Sequence, residues 1–296
     1  MAGSQRIYKQ RIASTQTLKK VFRAMELIAA SRIGNARAQA EAAQPYSRAI
    51  TRAVSAVATH TTFEHPLTSA RHDTKRVAMV VMTADRGMAG AYNASVLREA
   101  ERLQARLIAE GKDPVLYVTG RRGVGYYTFR ERPLVRTWTG TSDRPDFEVA
   151  RELASVLLSS FEASPAEGGV CEIHVVYTRF LSMVRQEPRV VRILPLEVVD
   201  GVTPVGEKPL PLYDFEPSPE VVLNELLPRY IASRLFTALH QSAASELASR
   251  QRAMHTATDN AEDLIRTYTR LANTARQTEI TQEISEIVSG ADALGG

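Results

Sequence analysis

The chain has 296 residues, of which 44% are hydrophobic, so it can bury a sizeable core in one or two domains. Charged residues make up 24% and the mean hydropathy is −0.20, which disfavours both intrinsic disorder and a membrane-spanning class. The single cysteine, Cys171, excludes an internal disulfide framework and a CxxC metal or redox site. The N-terminus lacks the apolar core of a signal peptide, so we expect a chain that is made and used on the cytoplasmic side.

The net charge of +4 conceals two arms of opposite sign. Residues 1–66 carry 10 Lys+Arg against 3 Asp+Glu, residues 67–210 carry 20 against 18, and residues 211–296 carry 7 against 12. The basic and acidic arms are expected to attract each other. The basic arm does not favour nucleic acid as a partner, because few aromatic side chains are interleaved with its basic residues to stack on bases.

The N-terminal arm predicts one long helix. Only Gly34 and Pro45 interrupt the segment between Ser4, a candidate N-cap, and His65. Apolar residues at steps of three and four predict a seam that faces a partner helix. This seam consists of Leu18, Val21, Met25 and Ile28.

The central segment predicts strands that alternate with helices, the pattern of an α/β layer with a largely parallel sheet. Its last two strands are candidates for an antiparallel pair at an edge, and a Pro-rich turn region follows them. In chain order the predicted elements are strand 76–83, helix 93–110, strand 114–120, helix 146–161, strands 171–180 and 189–196, and the turn region 206–219.

The C-terminal arm predicts a longer helix, because the 61 residues from Arg229 to Ser289 contain neither Gly nor Pro. At 1.5 Å per residue it would be about 92 Å long, whereas a compact chain of this size has a radius of gyration of about 19 Å. Part of the helix is therefore expected to project. Pro217, Pro219 and Pro228 suit its start and Gly290 suits its stop. Its apolar stripe comprises Leu235, Leu239, Ala243, Leu247, Met254, Ala261, Leu264, Tyr268, Leu271, Ile280, Ile284 and Ile287.

The two arms are interpreted as an antiparallel two-helix coil rather than as members of a helical bundle, because the chain offers only two long helices. The fold class is therefore α/β: a long two-helix coiled coil from both termini plus a Rossmann-like globular domain. We expect a coiled-coil helix over 1–66, the α/β domain over 67–210 and a second coiled-coil helix over 211–296.

No catalytic apparatus is visible in the sequence. The segment GRRGVG (120–125) follows a strand but lacks the full dinucleotide pattern, so a turn followed by a helix with exposed arginines explains it better. There is no P-loop, no GxSxG and no histidine pair of metal-ligand spacing. Asp85, Arg86 and Gly87 are interpreted as a strand-end turn with a local ion pair. We therefore expect no catalytic residue, no cofactor and no metal.

Three blocks of the sequence, in order, resemble the gamma subunit of F-type ATP synthase of the bacterial type, and the resemblance covers nearly the whole chain. RIASTQTLKKVFRAMELIAASRIGNA (11–36) is similar to the N-terminal helix of that family, and TADRGMAGAYN (83–93) to its segment after the first strand. The most specific block is ASELASRQRAMHTATDNAEDLI (244–265) with NTARQTEITQEISEIVSGADAL (273–294).

The chain departs from the family pattern at a few positions. Ala89 and Ala91 stand where Cys and Gly are common, Gln251 replaces a usual Met, and Ala272 replaces a usual aromatic residue. These departures are interpreted as packing changes. With Cys171 as its only cysteine, the chain also lacks the cysteine pair of the chloroplast-type subunit.

The resemblance implies a non-catalytic rotor in the central stalk. The two terminal helices would form an asymmetric coiled coil inside a hexamer of alpha and beta subunits, and catalysis would occur on the beta subunits. The α/β domain would lie against the epsilon subunit and the c-ring of the membrane sector. The chain would therefore be associated with the membrane only through the complex. The expected location is the cytoplasmic face of the bacterial plasma membrane, with proton flow driving the rotation.

The resemblance also assigns contact residues. Arg276 and Gln277 match residues that contact a beta-subunit loop, and Met25 matches a methionine that faces a beta-subunit lever. The beta-contact set is Arg276, Gln277, Thr281, Glu283, Met25, Lys19, Lys20 and Arg23. The apical bearing set is Ile284, Ile287, Val288 and Leu294, and the foot on the c-ring and epsilon is Tyr213, Asp214, Phe215 and Glu216.

Two other functions remain open from the residues alone. One is a nucleotide-binding α/β enzyme whose helical arms serve dimerisation, in which Gly120, Gly123 and Gly125 would line the nucleotide site. The other is a coiled-coil scaffold unrelated to rotation. For some positions of ITQEISEIV (280–288), plain coiled-coil packing is an alternative to a bearing.

Overall fold

The computed structural model describes residues 2–60, 67, 69, 71–196 and 216–294. The chain divides into two compact units, which we name the helix-pair unit (Met1–Ala30 with Arg250–Gly296) and the globular unit (Ser31–Ser249). Helices α1 (Ala2–His60) and α5 (Pro219–Leu294) contribute to both units. Most of the described residues of the arms predicted over 1–66 and 211–296 are thus helical, and each arm also supplies residues to the globular unit.

The globular unit contains one five-stranded sheet in the order β3-β2-β1-β4-β5. All neighbouring pairs are parallel except β4 and β5, which form the antiparallel pair expected at one edge. This confirms the α/β class. The elements are β1 (Arg76–Met82), α2 (Tyr92–Ala109), β2 (Asp113–Thr119), α3 (Arg121–Phe129), β3 (Leu134–Trp138), α4 (Phe147–Glu162), β4 (Glu172–Phe180) and β5 (Gln186–Leu194).

Apolar layers cover both faces of the sheet. Helix α2 packs on one face through Val96, Leu103 and their neighbours, while α4 and part of α5 pack on the other through Leu157 and Leu235. Because β1 is covered on both sides, its residues 77–82 are all buried. This is the reason why the sequence of β1 is a continuous apolar run rather than an alternating one.

The ends of the two long helices differ from the prediction. Helix α1 begins at Ala2, so Ser4 lies within it rather than at its N-cap, and Pro45 lies inside it. Helix α5 begins at Pro219, and Ser218 Oγ accepts a hydrogen bond from the Val221 N–H at 3.4 Å. Gly290 does not stop α5, because a single glycine costs only about 1 kcal/mol relative to alanine and the helix continues through the following residues to Leu294.

Candidate functional site

Segment 242–249 of α5 occupies the place in the sheet where α/β proteins of this topology bind ligands. That place is the crevice beyond the carboxyl ends of strands, at the point where the strand order reverses, here between β1 and β4. Every residue of the segment is buried. Ser245 Oγ donates to the Thr178 carbonyl at 3.1 Å, and Gln241 Oε1 accepts from the Phe180 N–H at 2.9 Å. The chain itself therefore fills the crevice.

The GRRGVG segment is packed against the end of β1. Gly120 has a φ of +88°, and a Cβ at this position would lie 2.1 Å from the Thr83 carbonyl oxygen. The Gly123 N–H donates to Thr83 Oγ1 at 2.9 Å, and that hydroxyl donates to the Thr119 carbonyl at 2.7 Å. These two glycines permit the segment to pack closely against Thr83 of the same chain. Helix α3 starts at Arg121, which is exposed. The interpretation as a turn followed by a helix is confirmed.

The carboxylate of Asp85 connects the loops that follow the first three strands. It accepts hydrogen bonds from the N–H groups of Arg121 (3.1 Å), Gly140 (2.8 Å) and Ser142 (3.0 Å). Partial burial alone would raise the pKa of Asp85, but these hydrogen bonds outweigh it and the pKa is lowered. The Arg121 guanidinium also lies 3.9 Å away. Asp85 is thus an ionised structural anchor at a strand end, as its sequence context suggested.

The helix-pair unit holds α1 and α5 in antiparallel contact. The Tyr8 ring stacks on Tyr268 with centroids 6.4 Å apart, and Lys19 Nζ lies 2.5 Å from a Glu262 carboxylate oxygen. The hydrogen bond from Lys19 lowers the pKa of Glu262. The buried and half-buried positions of α1 repeat at steps of three and four, the spacing of a coiled-coil seam. Between Gln5 and Ala30 these positions are Gln5, Tyr8, Ile12, Thr15, Lys19, Phe22, Met25, Glu26 and Ala29.

The seam predicted for α1 is therefore wrong by one residue. Leu18, Val21 and Ile28 are 51%, 47% and 52% exposed, and Met25 is half-buried. The reason is that α1 carries two apolar stripes, and the one in contact with α5 includes the polar residues Lys19 and Glu26. The exposed large apolar side chains of α1 within the helix-pair unit are Ile7, Leu18, Val21, Leu27 and Ile28. At about 100° per residue, Ile7, Leu18, Val21 and Ile28 share one side of the helix, and we name these four the outer stripe.

The stripe predicted for α5 is right in one part and wrong in another. Met254 and Ala261 are buried, and Tyr268 is half-buried. By contrast, the apolar residues from Leu264 onward include several that are solvent-exposed rather than packed. These are Leu264, Ile280, Ile284 and Ile287.

A polar layer lies within the helix pair at Glu26, of which only 8% is exposed. One of its carboxylate oxygens accepts from Arg23 Nη1 at 2.9 Å, and the other lies 3.2 Å from His255 Nδ1. His255 Nε2 lies 3.7 Å from Asp259 on its own helix. A buried polar group that finds its partner in only one alignment favours that alignment of two helices.

The residues predicted to contact beta subunits are mostly exposed side chains of the helix-pair unit. Arg276, Gln277, Thr281 and Glu283 are exposed, as are Lys20 and Arg23. Met25 is half-buried, and Lys19 is half-buried in its pair with Glu262. Six of the eight residues predicted to contact beta subunits are therefore exposed. Sequence analysis interpreted Leu18, Val21 and Ile28 as packing residues, whereas all three are exposed.

The bearing and foot residues are only partly within the described residues. Ile284, Ile287 and Val288 are 57%, 71% and 55% exposed. Leu294 ends α5, and its side chain lies outside the described residues, as do Tyr213, Asp214 and Phe215. Glu216 is exposed just before α5 begins.

The described residues lack both a metal-ligand cluster and a membrane-spanning helix. They contain no group of three or more His, Cys, Asp and Glu side chains arranged to hold a metal ion. None of the helices within them has an apolar stretch long enough to cross a membrane.

Comparison with known proteins gives a match along nearly the whole chain. Residues 4–294 match the model of the ATP synthase family. The ATP synthase gamma chain of Beutenbergia cavernae is 74% identical over 294 residues, covering 99% of both chains. The chain belongs to the ATP synthase gamma-chain family. The gamma chain of Pseudarthrobacter chlorophenolicus is 58% identical, again over 99% of both chains.

Solved structures of distantly similar chains from ATP synthases share the fold. A chain of the Euglena gracilis mitochondrial ATP synthase (OSCP, F1 and c-ring, rotational state 3) matches with a TM-score of 0.68 at 15% identity, covering 99% of this chain and 95% of that one. A chain from the central stalk and c-ring of the Tetrahymena thermophila enzyme matches with a TM-score of 0.57 at 21% identity, covering 80% and 99%. The family recognised from three sequence blocks is confirmed, and with it the role of a gamma chain as the central-stalk rotor subunit.

Proposed function

We propose that this chain acts as the turning shaft of a bacterial F-type ATP synthase and catalyses no reaction itself. The observation that carries the proposal is the outward surface of the helix pair. Large apolar side chains are exposed to solvent there, although the two helices already pack against each other along their seam. Ile287 is 71% exposed and Leu27 is 58% exposed. Apolar surface of this kind marks a protein interaction site.

The distal part of α5 supports a bearing at its end. Residues 281–289 are all exposed, in contrast to the seam positions between Met254 and Ala272. Ile284, Ile287 and Val288 would turn within an apolar sleeve formed by alpha and beta subunits. An apolar bearing suits rotation, because dispersion and hydrophobic contacts are non-directional and have no hydrogen bonds to break at each step.

The surface of α1 supports a second contact, with the levers of the beta subunits. The outer stripe is accompanied by the exposed cations Lys20 and Arg23, which suit an acidic partner surface. Met25 lies between them and Ile28 on the same helix. Lys19 has a weaker claim to this contact, because it already pairs with Glu262.

The filled crevice of the globular unit supports a non-catalytic role and disfavours the nucleotide-binding alternative. Gly120 and Gly123 approach Thr83 too closely to leave room for a phosphate, and segment 242–249 of α5 occupies the switch point. The solved structures that share the fold come from the central stalk and c-ring, the rotor, and the F1 and c-ring assembly of mitochondrial ATP synthases. For this chain we propose alpha, beta and epsilon subunits and the c-ring as partners. Its foot would be Tyr213, Asp214, Phe215 and Glu216. The proposed location is the cytoplasmic face of the plasma membrane.

Replacing Arg276 and Gln277 together with alanine should lower proton-driven ATP synthesis by at least about fivefold in the reconstituted complex. Both side chains are exposed, so the chain should fold unchanged, and the loss should come from truncated contacts at the beta subunit, where a central arginine contributes a large share of binding. ATP synthesis by vesicles containing the complex measures the effect.

The matched control removes one guanidinium and one small polar side chain elsewhere on α5, with Arg266→Ala and Thr267→Ala, both exposed and outside the contact set. The ATP synthesis rate of this control should stay within twofold of wild type, which corresponds to about 0.4 kcal/mol. Equal activities for both double variants and the wild type would favour the coiled-coil scaffold instead.

A further inference from the structure

A basic cleft lies between helix α2 and the edge strand β5 of the globular unit. Its volume is about 500 Å³, and the side chains around it include Arg102 and Arg106 of α2, Arg189 of β5 and a single carboxylate, Glu99. Leu103 and Val190 supply apolar wall. Three guanidinium groups and one carboxylate line the cleft, and two further carboxylates, Glu110 and Glu187, lie within 4 Å of Arg106 and Arg189.

The three arginines have ion pairs that are easily exchanged. Arg102 Nη1 lies 3.1 Å from Glu99 with its side chain 70% exposed, and Arg106 Nε lies 3.9 Å from a Glu110 oxygen with 60% exposed. Arg189 Nη2 lies 3.6 Å from Glu187. Exposed pairs of this kind contribute roughly 0–1 kcal/mol. The guanidinium groups can therefore turn toward a ligand at little cost.

We propose that this cleft binds a phosphate-bearing anion. Guanidinium groups bind phosphate through two parallel N–H···O bonds, which a lysine cannot reproduce. The volume falls within the range of small-molecule sites, and the apolar wall would receive the part of the ligand attached to the phosphate. None of the residues assigned to the rotor contacts lines this cleft, so the inference stands or falls separately from the shaft function.

His174 of β4 provides a reporter near the cleft. The residue is 7% exposed, and its Nε2 lies 2.8 Å from Glu172. Burial lowers the pKa of His174, the Glu172 carboxylate opposes this, and the positive charges of Lys112 and Arg106 lower it further. An anion that neutralises Arg106 should therefore raise the pKa of His174.

Calorimetric titration of the full chain with pyrophosphate tests the site. Arg102→Ala with Arg189→Ala removes two of the three guanidinium groups but keeps Arg106, which acts on His174. We expect this variant to bind pyrophosphate at least about tenfold more weakly than wild type. The rise of the His174 pKa on ligand addition, followed by NMR, should occur in wild type and disappear in the variant at the same ligand concentration.

A matched control separates the cleft from general surface charge. Arg136 and Arg151 are exposed arginines paired with Glu152 and Glu148 at 3.1 and 2.6 Å, so Arg136→Ala with Arg151→Ala removes the same charge elsewhere. This control should bind pyrophosphate within twofold of wild type. Equal weakening in both double variants, or no binding by wild type, would overturn the proposal, and unchanged Trp138 fluorescence confirms that each variant is folded.

A second experiment, with lipid vesicles, distinguishes a phosphate on a lipid headgroup from a phosphate on a soluble ligand. Binding to phosphatidylglycerol vesicles but not to phosphatidylcholine vesicles, lost in Arg102→Ala with Arg189→Ala, would identify a lipid headgroup. Binding of pyrophosphate without vesicle binding would identify a soluble ligand. Binding of polyglutamate without pyrophosphate would overturn the proposal and assign the cleft to an acidic protein surface.

Discussion

Replacing Ala29 with aspartate is expected to remove most of the hydrogen-exchange protection of α1 in the helix-pair unit. Ala29 is 1% exposed and lies in the seam, so a short carboxylate there is buried without a partner. It also lies one turn from Glu26, whose negative charge adds repulsion. We expect a loss of at least about 2 kcal/mol, or about 30-fold in the exchange protection of the amides from Gln5 to Ala29.

The neighbouring Ala30 provides a control of the same chemistry. It is exposed, so Ala30→Asp has the same cost in helix propensity, about 0.6 kcal/mol, without burying a charge. Its amide protection should stay close to that of wild type. If Ala30→Asp were as damaging as Ala29→Asp, or if neither mattered, the seam through Lys19, Glu26 and Ala29 would be wrong.

Replacing Gly120 with alanine is expected to destabilise the globular unit by about 3–5 kcal/mol. The residue has a φ of +88°, which is strained for any residue with a Cβ, and that Cβ would lie 2.1 Å from the Thr83 carbonyl oxygen. The Gly120 N–H also donates to the Trp138 carbonyl at 2.7 Å. Because Trp138 is the single tryptophan, denaturant unfolding followed by its fluorescence reports on this place directly.

Gly125→Ala in the same segment should stabilise the globular unit rather than destabilise it. Gly125 lies inside α3, and a Cβ there would meet nothing within 4 Å. Removing the entropic cost of a helical glycine should stabilise the unit by about 0.5–1 kcal/mol. A tolerated Gly120→Ala with unchanged stability would contradict the close packing of this segment and reopen the nucleotide-loop interpretation.

Those parts of the fold could be predicted from the sequence in which a single pattern, such as an apolar run or a regular alternation of elements, is strong. The β1 run of Val and Met, enclosed by turn residues, indicated a buried parallel strand, and the strand–helix alternation gave the α/β class. The prediction missed β3 (Leu134–Trp138), because this strand has five residues and only Trp138 is buried. A short, mostly exposed edge strand has neither the apolar run nor the alternation that identifies a strand.

The candidate site was harder to predict, because the face that one helix packs against another depends on the residues of the partner helix. The outer stripe with Leu18 and Ile28 is more apolar than the true seam, which includes Lys19 and Glu26. Hydrophobicity alone therefore chooses the wrong face. The signal that could have corrected it is pairing across the two arms, Lys19 with Glu262 and Glu26 with His255. Such pairs become recognisable only when the antiparallel register is known.

The central claim, that this chain turns as a shaft, is tested most directly by observing rotation in a single complex. Phe129 is 85% exposed on α3, so Phe129→Cys accepts a fluorescent probe, while Cys171 is 6% exposed and resists labelling. With the alpha and beta subunits fixed to a surface, we predict unidirectional rotation of the probe when ATP is added. ATP hydrolysis by the complex with a stationary probe, or hydrolysis by the purified chain alone, would contradict the account.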